Sequence, residues 1–160
     1  MRSRTSRESF RMTIFDRIIV GQLPASFVYQ DDICVAFLDI SPMTPGHTLI
    51  VPRRSVPTLD MLDTATRAHL FEVVQKVGAA QRKGLGSLAQ HLLVNDGKAA
   101  SQSVPHVHIH VMPRYGGDML HTVTRMIWHV TTLAIPRKET NARRATLDRI
   151  AKKISDAISD

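Results

Sequence analysis

Three histidines alternate with apolar residues in the segment from Ser103 to Arg114, at positions His106, His108 and His110. Successive side chains of a β-strand point to opposite faces, so these imidazoles are expected to share one face while the residues between them enter the core. A row of imidazoles suits two kinds of chemistry: metal ligation by neutral rings, and acid–base or nucleophilic catalysis by a ring whose tautomer its neighbours fix. Three of the eight histidines in one register therefore indicate a functional site.

Zinc binding is the less favoured of these two interpretations. Zinc sites usually add cysteine pairs or a carboxylate at suitable spacing, and the chain has one cysteine, Cys34. Three histidines with water remain an alternative ligand set. The catalytic interpretation has support in residues 95–103, NDGKAASQS, because small residues and hydroxyls can present donors to an oxyanion. Together, loop and histidines predict phosphoryl or nucleotidyl transfer.

The elements that must position these histidines follow from periodicity. Residues 27–29 and 33–39 are predicted strands around a turn, and residues 47–51 form a third strand after the proline-containing loop 41–46. Two further strands, 91–95 and 106–112, are joined by a polar loop. A long helix is predicted between Pro57 and Gly84 from apolar positions at helical spacing. Those positions are Leu59, Leu62, Ala65, His69, Leu70, Val73, Val74 and Val77. The expected fold class is α+β.

Composition limits the class of protein. A chain of 160 residues with 43% hydrophobic content fits one domain, and its apolar runs are shorter than the roughly 20 residues of a membrane helix. The net charge of +7 indicates anionic partners. Because the basic residues concentrate near the N-terminus and in residues 137–153, a small phosphorylated substrate fits better than specific nucleic-acid binding. The lone Cys34 in an apolar run favours a reducing cytoplasm.

The chain divides into three predicted parts. Residues 1–11 are interpreted as a disordered basic arm, residues 12–116 as the core domain, and residues 117–160 as an extension. Within the extension, apolar residues 127, 130, 133 and 135 precede Pro136, and residues 140–159 are predicted to form an amphipathic helix. Its apolar stripe is Leu147, Ile150, Ile154 and Ile158. The basic face is interpreted as solvated rather than membrane-bound.

The segment 106–112, HVHIHVM, resembles the signature of the histidine-triad (HIT) family. Order and spacing elsewhere resemble its Hint branch, in residues 13–15, 35–42, 46–52 and 102–104 together with Asn95. The resemblance implies a HIT-like α+β fold with an antiparallel sheet of about five strands. It also implies a homodimer that binds a purine nucleotide and hydrolyses a bond at its α-phosphate without a cofactor.

The resemblance implies a role for each matching residue. His108 would attack phosphorus and carry the nucleotidyl group, while His110 and Asn95 would contact the α-phosphate. His47 and His106 would support the histidine network, and Ser103 would lie beside the leaving group. The remaining implied nucleotide contacts are Asp39 on the ribose hydroxyls, Gln102 in the phosphate loop, and an apolar base cleft of Ile14, Phe15, Ile18, Leu23, Phe37 and Ile40.

Two departures from the family pattern matter. Many bacterial members bind structural zinc through a Cys-x-x-Cys pair, a later histidine and the first histidine of the triad. Here those positions hold Thr13, Asp16 and Ser55, so no zinc is expected. Ser101 replaces a common glycine, and serine would be strained there if the position needs a positive φ.

Three functions remain open at this point. The leading one is hydrolysis of purine nucleoside phosphoramidates or related adenylylated compounds. The second is hydrolysis of dinucleoside polyphosphates or nucleotidyl transfer to another phosphate. The third is a non-catalytic nucleotide-binding or scaffold protein that meets a partner through its basic C-terminal helix.

Overall fold

The computed structural model describes residues 12–117 and 140–159. Its elements are α1 (Ile14–Ile19), β1 (Phe27–Gln30), β2 (Cys34–Leu38), β3 (Thr48–Pro52), α2 (Thr64–Leu85), β4 (Ala89–Leu93), β5 (Ile109–Arg114) and α3 (Asn141–Ser159), with short 3-10 turns at Leu59–Met61 and Lys98–Ala100. The five strands form one antiparallel sheet in the order β1-β2-β3-β5-β4. The predicted α+β class and five-stranded sheet are confirmed.

One face of the sheet is covered by the two long helices. Alternate residues of β2, β3 and β5 pack there against Leu70, Val73 and Val77 of α2. From α3, the buried side chains are Leu147, Ala151 and Ile154. The amphipathic helix predicted at residues 140–159 is therefore confirmed, and its apolar stripe completes the main core.

The opposite face carries a smaller apolar cluster under α1. Phe15 of α1 packs there with Phe37 of β2 and Leu49 of β3. In the pairing of β3 with β5, Leu49 lies opposite His110, so that histidine shares this face. His110 thus lies on the face of the sheet that carries α1.

Several predicted boundaries were wrong. Helix α2 begins at Thr64 rather than near Leu59, because the Asp63 side chain accepts the Thr66 N–H and starts the helix there. Strand β4 ends at Leu93, two residues earlier than predicted. Strand β5 begins at Ile109, not at residue 106.

The late start of β5 has a physical cause. The N–H of Val107 donates to the carbonyl of Val56 at 2.8 Å. Val56 lies beyond the end of β3, so this hydrogen bond is not part of the β3–β5 pairing. His106 and His108 therefore precede the strand. Their side chains still lie on the site side, while Val107 and Ile109 enter the main core as the alternation predicted.

Helix α1 was missed because six residues show little periodicity. A signal was present: Thr13 and Asp16 form a capping box, in which each side chain accepts from the other residue's backbone N–H.

The predicted arm at residues 1–11 and the apolar positions 127–135 lie outside the described residues. Among the helices at residues 12–117 and 140–159, none is long and apolar enough to cross a membrane.

Candidate active site

His108 is held in one tautomer by the backbone. Its Nδ1 lies 2.8 Å from the carbonyl oxygen of His106. A carbonyl only accepts, so Nδ1 carries the proton and Nε2 keeps its lone pair. Burial lowers the pKa of His108 and outweighs the opposing effect of this hydrogen bond. A neutral imidazole with an available Nε2 lone pair is suited to nucleophilic attack.

A chain of hydrogen bonds that begins at the Met43 N–H determines which ring nitrogen of His110 carries the proton. The Met43 N–H donates to Nδ1 of His47 at 3.3 Å, which leaves the proton of neutral His47 on Nε2. That Nε2 lies 3.0 Å from Nδ1 of His110 and donates to it. Neutral His110 therefore carries its own proton on Nε2, the tautomer that donates toward an anion. Its ring centroid is 4.9 Å from that of His108.

The loop before His47 is anchored by residues that sequence reasoning missed. Fully buried Gln81 of α2 donates from Nε2 to the Gly46 carbonyl at 3.0 Å. The hydroxyl of Tyr115 donates to the Pro45 carbonyl at 2.8 Å. These bonds fix the backbone that delivers both the Met43 N–H and the His47 ring.

His106 belongs to a hydrogen-bonded group that we call the His106 cluster: Thr13, Asp16, Ser55 and His106. Nε2 of His106 donates to the Pro52 carbonyl at 2.8 Å. Nδ1 lies 3.1 Å from Oγ1 of Thr13 and 3.2 Å from Oγ of Ser55. Both hydroxyls also reach Oδ2 of Asp16, at 2.9 and 3.1 Å.

The pKa values of His106 and Asp16 are both lowered, which favours a neutral ring at His106 and a charged carboxylate at Asp16. Burial lowers the pKa of His106. Burial raises the pKa of Asp16, but hydrogen bonds from Thr13 and Ser55 outweigh it and hold the pKa below its ordinary value. Thr13, Asp16 and Ser55 occupy the positions where many bacterial members of the family have zinc ligands. Here they surround Nδ1 of His106 with oxygen atoms.

Phe15 joins α1 to the histidines. Its ring meets His108 edge to face at 5.1 Å and His106 at 5.8 Å between centroids. It also packs against Phe37 at 5.8 Å. Of the other predicted cleft residues, Ile14 and Ile40 are exposed, whereas Ile18 and Leu23 are half-buried.

The Asp39 carboxylate contacts both a turn of the backbone and the His47 ring. Its Oδ1 accepts the Ser41 N–H at 2.7 Å, as a turn residue would. Its Oδ2 lies 3.6 Å from Nδ1 of His47. The carboxylate is therefore placed beside the histidine network.

The loop between β4 and β5 is braced by Gln102. The side-chain amide accepts the Gly97 N–H at 2.9 Å and donates to the Pro57 carbonyl at 2.8 Å. Asn95 is half-buried and Ser103 is exposed in the same connection. Sequence reasoning found Gln102 but not this bracing role.

Ser101 has φ 65° and ψ 26°, the left-handed conformation that disfavours serine. We expect Ser101→Gly to raise the free energy of unfolding by about 0.5–1 kcal/mol, because relief of strain exceeds the extra chain entropy of glycine. Urea unfolding followed by circular dichroism measures this. A loss of stability would contradict the assigned strain.

Two groups of donor atoms among the described residues could hold a metal ion. In each, the three donor atoms lie within 4.8 Å of one another. The groups are Asp39, His47 and His110, and Asp31, Cys34 and His69. Hydrogen bonds already join members of both, at 3.0 Å between His47 and His110 and 2.6 Å between His69 and Asp31.

Comparison with known proteins identifies related sequences and structures. The HIT domain model matches residues 20–117. Adenylylsulfatase HINT3 of Arabidopsis thaliana is 39% identical over 107 residues, which are 67% of this chain and 54% of that protein. A Zn-bound histidine triad family protein from Mycobacterium smegmatis has a TM-score of 0.72 and 31% identity over 91% of this chain and 92% of that one.

A second solved structure is a hypothetical histidine triad nucleotide-binding protein from Sulfolobus tokodaii. It has a TM-score of 0.73 and 29% identity over 91% of each chain. The matched domain contains the histidine row, the sheet and α2. The chain therefore belongs to the HIT family.

Proposed function

We propose that this protein is a nucleotide hydrolase that cleaves purine nucleoside phosphoramidates, or related adenylylated compounds, through a nucleotidyl group on His108. The observation that carries the proposal is the 2.8 Å contact between Nδ1 of His108 and the His106 carbonyl. It leaves Nε2 as the nucleophilic nitrogen on a ring that burial keeps neutral. Two relatives, an adenylylsulfatase and a nucleotide-binding protein, support such a substrate.

The proposed reaction has two displacements. Nε2 of His108 forms a bond to the α-phosphorus while the bond to the leaving nitrogen breaks, and the departing amine takes a proton. Water then attacks the same phosphorus, the nitrogen–phosphorus bond breaks, and the nucleoside monophosphate leaves. One difficult displacement becomes two easier ones because imidazole is both a good nucleophile and a good leaving group.

The other site residues are assigned to stabilising the charge on the α-phosphate and to protonating the leaving group. His110, protonated on Nε2, and Asn95 donate to the oxygens of the α-phosphate, helped by backbone N–H groups near Ser103. The Ser103 hydroxyl lies beside the leaving group, where it donates its proton to the departing amine as it receives one from water. Such fixed donors offset the charge that develops on phosphoryl oxygens.

The nucleotide itself is assigned to the surface beside α1 and β2. Asp39 accepts from the ribose hydroxyls, since a carboxylate suits two vicinal donors. The base lies in the apolar cleft, and Gln102 keeps the phosphate loop in place. Half-buried Ile18 and Leu23 and exposed Ile14 and Ile40 offer apolar surface there.

We propose that the His106 cluster holds no zinc. Structural zinc takes four nitrogen or sulfur ligands, whereas this cluster supplies two neutral hydroxyls, one carboxylate and one ring nitrogen. Turnover is therefore expected to continue in the presence of a chelator. Metal analysis that finds zinc in the purified wild type but not in Asp16→Ala would contradict this.

We infer that the protein forms a homodimer through the β4 edge of the sheet. Within residues 12–117 and 140–159, strand β4 lies at an edge of the sheet and pairs with β5 on its other side. It exposes Leu92, and the adjoining Leu88 is 72% exposed. Exposed apolar side chains along an open edge favour pairing with a second copy. Light scattering should give a dimer that Leu92→Lys weakens, and a monomeric wild type would contradict the proposal.

Product analysis tests the proposed function. Incubation with an adenosine phosphoramidate should give AMP and the free amine. AMP with a nucleoside polyphosphate, formed from a dinucleoside polyphosphate while the phosphoramidate stays intact, would favour the polyphosphate hydrolase. Binding of AMP with no turnover of either substrate would favour the scaffold.

The acid limb of the pH profile should lie below the ordinary histidine pKa. Attack requires neutral His108, and burial lowers its pKa from 6.5, so the neutral form persists as the pH falls through that value. We expect the midpoint of the acid fall in kcat/KM to lie below pH 6.5. A fall centred above that value would contradict the assignment.

A further inference from the structure

The His106 cluster contacts both structures that hold the proposed nucleophile. One is the His106 carbonyl, which fixes Nδ1 of His108. The other is the Phe15 ring, which packs edge to face on His108 at 5.1 Å. These two contacts come from different segments of the chain, one before β5 and one on α1.

Asp16 connects the two segments. Its Oδ2 accepts the Thr13 N–H at 2.7 Å, which caps α1 and sets the position of Phe15. The same oxygen lies within hydrogen-bond distance of the Thr13 and Ser55 hydroxyls. Those hydroxyls lie 3.1 and 3.2 Å from Nδ1 of His106. One carboxylate thus organises the helix cap and the donors to His106.

The proton count shows how the cluster fixes His106. Nε2 of His106 donates to the Pro52 carbonyl, so Nδ1 of the neutral ring accepts. One hydroxyl donates to Nδ1 and the other donates to Asp16. Without the carboxylate, the hydroxyl that donates to it loses its acceptor and the Thr13 N–H loses its cap, so the groups around Nδ1 of His106 lose their common anchor.

We infer that Asp16 is a positioning residue for the nucleophile, acting through the His106 backbone and through Phe15. This inference rests on the proposed function, because it concerns the same reaction at His108. Asp16 touches no reacting atom. Its carboxylate holds the two groups that orient Nε2 of His108. In metal sites, hydrogen-bond partners of a ligating histidine orient its ring in a similar way.

The test compares Asp16→Ala with Asp63→Ala. Asp63 caps α2 in the same way, by accepting a backbone N–H, but lies outside the His106 cluster. We expect Asp16→Ala to lower kcat by about 10–100-fold with KM within about twofold, because small misplacement of a reacting group costs that much. Asp63→Ala should leave kcat unchanged. Equal losses in the two variants would overturn the inference.

Two further variants separate positioning from helix capping. Ser55→Ala removes a hydroxyl of the cluster without changing the cap of α1, and it should lower kcat by about 3–10-fold. Asp16→Glu keeps a carboxylate at the capping-box position, so it should recover most of the activity lost in Asp16→Ala. A full rate in Ser55→Ala together with no recovery in Asp16→Glu would show a purely structural role and overturn the inference.

A readout in the free protein distinguishes this inference from the proposed function. Long-range proton–nitrogen NMR reports which ring nitrogen of His108 is protonated. The wild type should show a slowly exchanging Nδ1 proton that Asp16→Ala and Ser55→Ala make exchange faster. If this change occurs but the wild type hydrolyses no nucleotide, positioning stands and the proposed function falls. Unchanged exchange in both variants overturns the positioning role whatever the activity.

Discussion

His108→Ala is expected to lower kcat/KM for an adenosine phosphoramidate by at least about 10³-fold while AMP still binds. Removing a nucleophile forces a different, slower route, and losses of this size follow removal of such groups in other enzymes. Binding should persist because the proposed phosphate, ribose and base contacts come from other residues. Steady-state kinetics with nucleotide titration separates these two effects.

A matched control and a rescue make this experiment specific. His91→Ala removes an exposed histidine on β4 and should keep full activity. His108→Gly should regain part of its activity when free imidazole is added, because the added ring can occupy the space of the missing side chain. Retained turnover in His108→Ala would exclude His108 as the nucleophile.

Ile154→Ala is expected to lower the free energy of unfolding by about 2–5 kcal/mol. Ile154 is fully buried and packs in the main core that α2, α3 and the sheet share. Truncation removes apolar contacts and leaves a cavity that the surrounding helices only partly fill. Because the core face is opposite the histidines, kcat should remain within about twofold of the wild type at temperatures where the variant is folded.

Urea unfolding followed by circular dichroism measures this loss of stability. Lys152→Ala is the control on the same helix: its side chain is 75% exposed, and the change should alter stability by less than about 0.5 kcal/mol. Equal stability of Ile154→Ala and Lys152→Ala would mean that α3 does not pack on the core of the folded protein.

The face of the sheet on which each residue lies could be predicted from the sequence. Alternation assigned His110 to one side and Ile109 to the other, and helical spacing assigned Leu147 and Ile154 to a buried stripe. These patterns are local and strong, since each depends on residues two to four positions apart.

The contacts that orient the histidines could not be predicted in the same way. The partners of His106 come from residues 13 and 55, and the tautomer of His47 depends on the Met43 backbone. Such contacts join distant segments or involve main-chain atoms, which residue type does not reveal. Thr13 and Asp16 were recognised only as departures from a zinc pattern, although their capping-box spacing was present in the sequence.

Trapping the covalent intermediate tests the central claim most directly. Wild type mixed with an adenosine phosphoramidate, quenched within one turnover and analysed by peptide mass spectrometry, should carry one adenylyl group on His108. The adduct should disappear as substrate is exhausted and be absent from His108→Ala. An adenylyl group on a different residue, or rapid turnover with no adduct during the steady state, would contradict attack by His108.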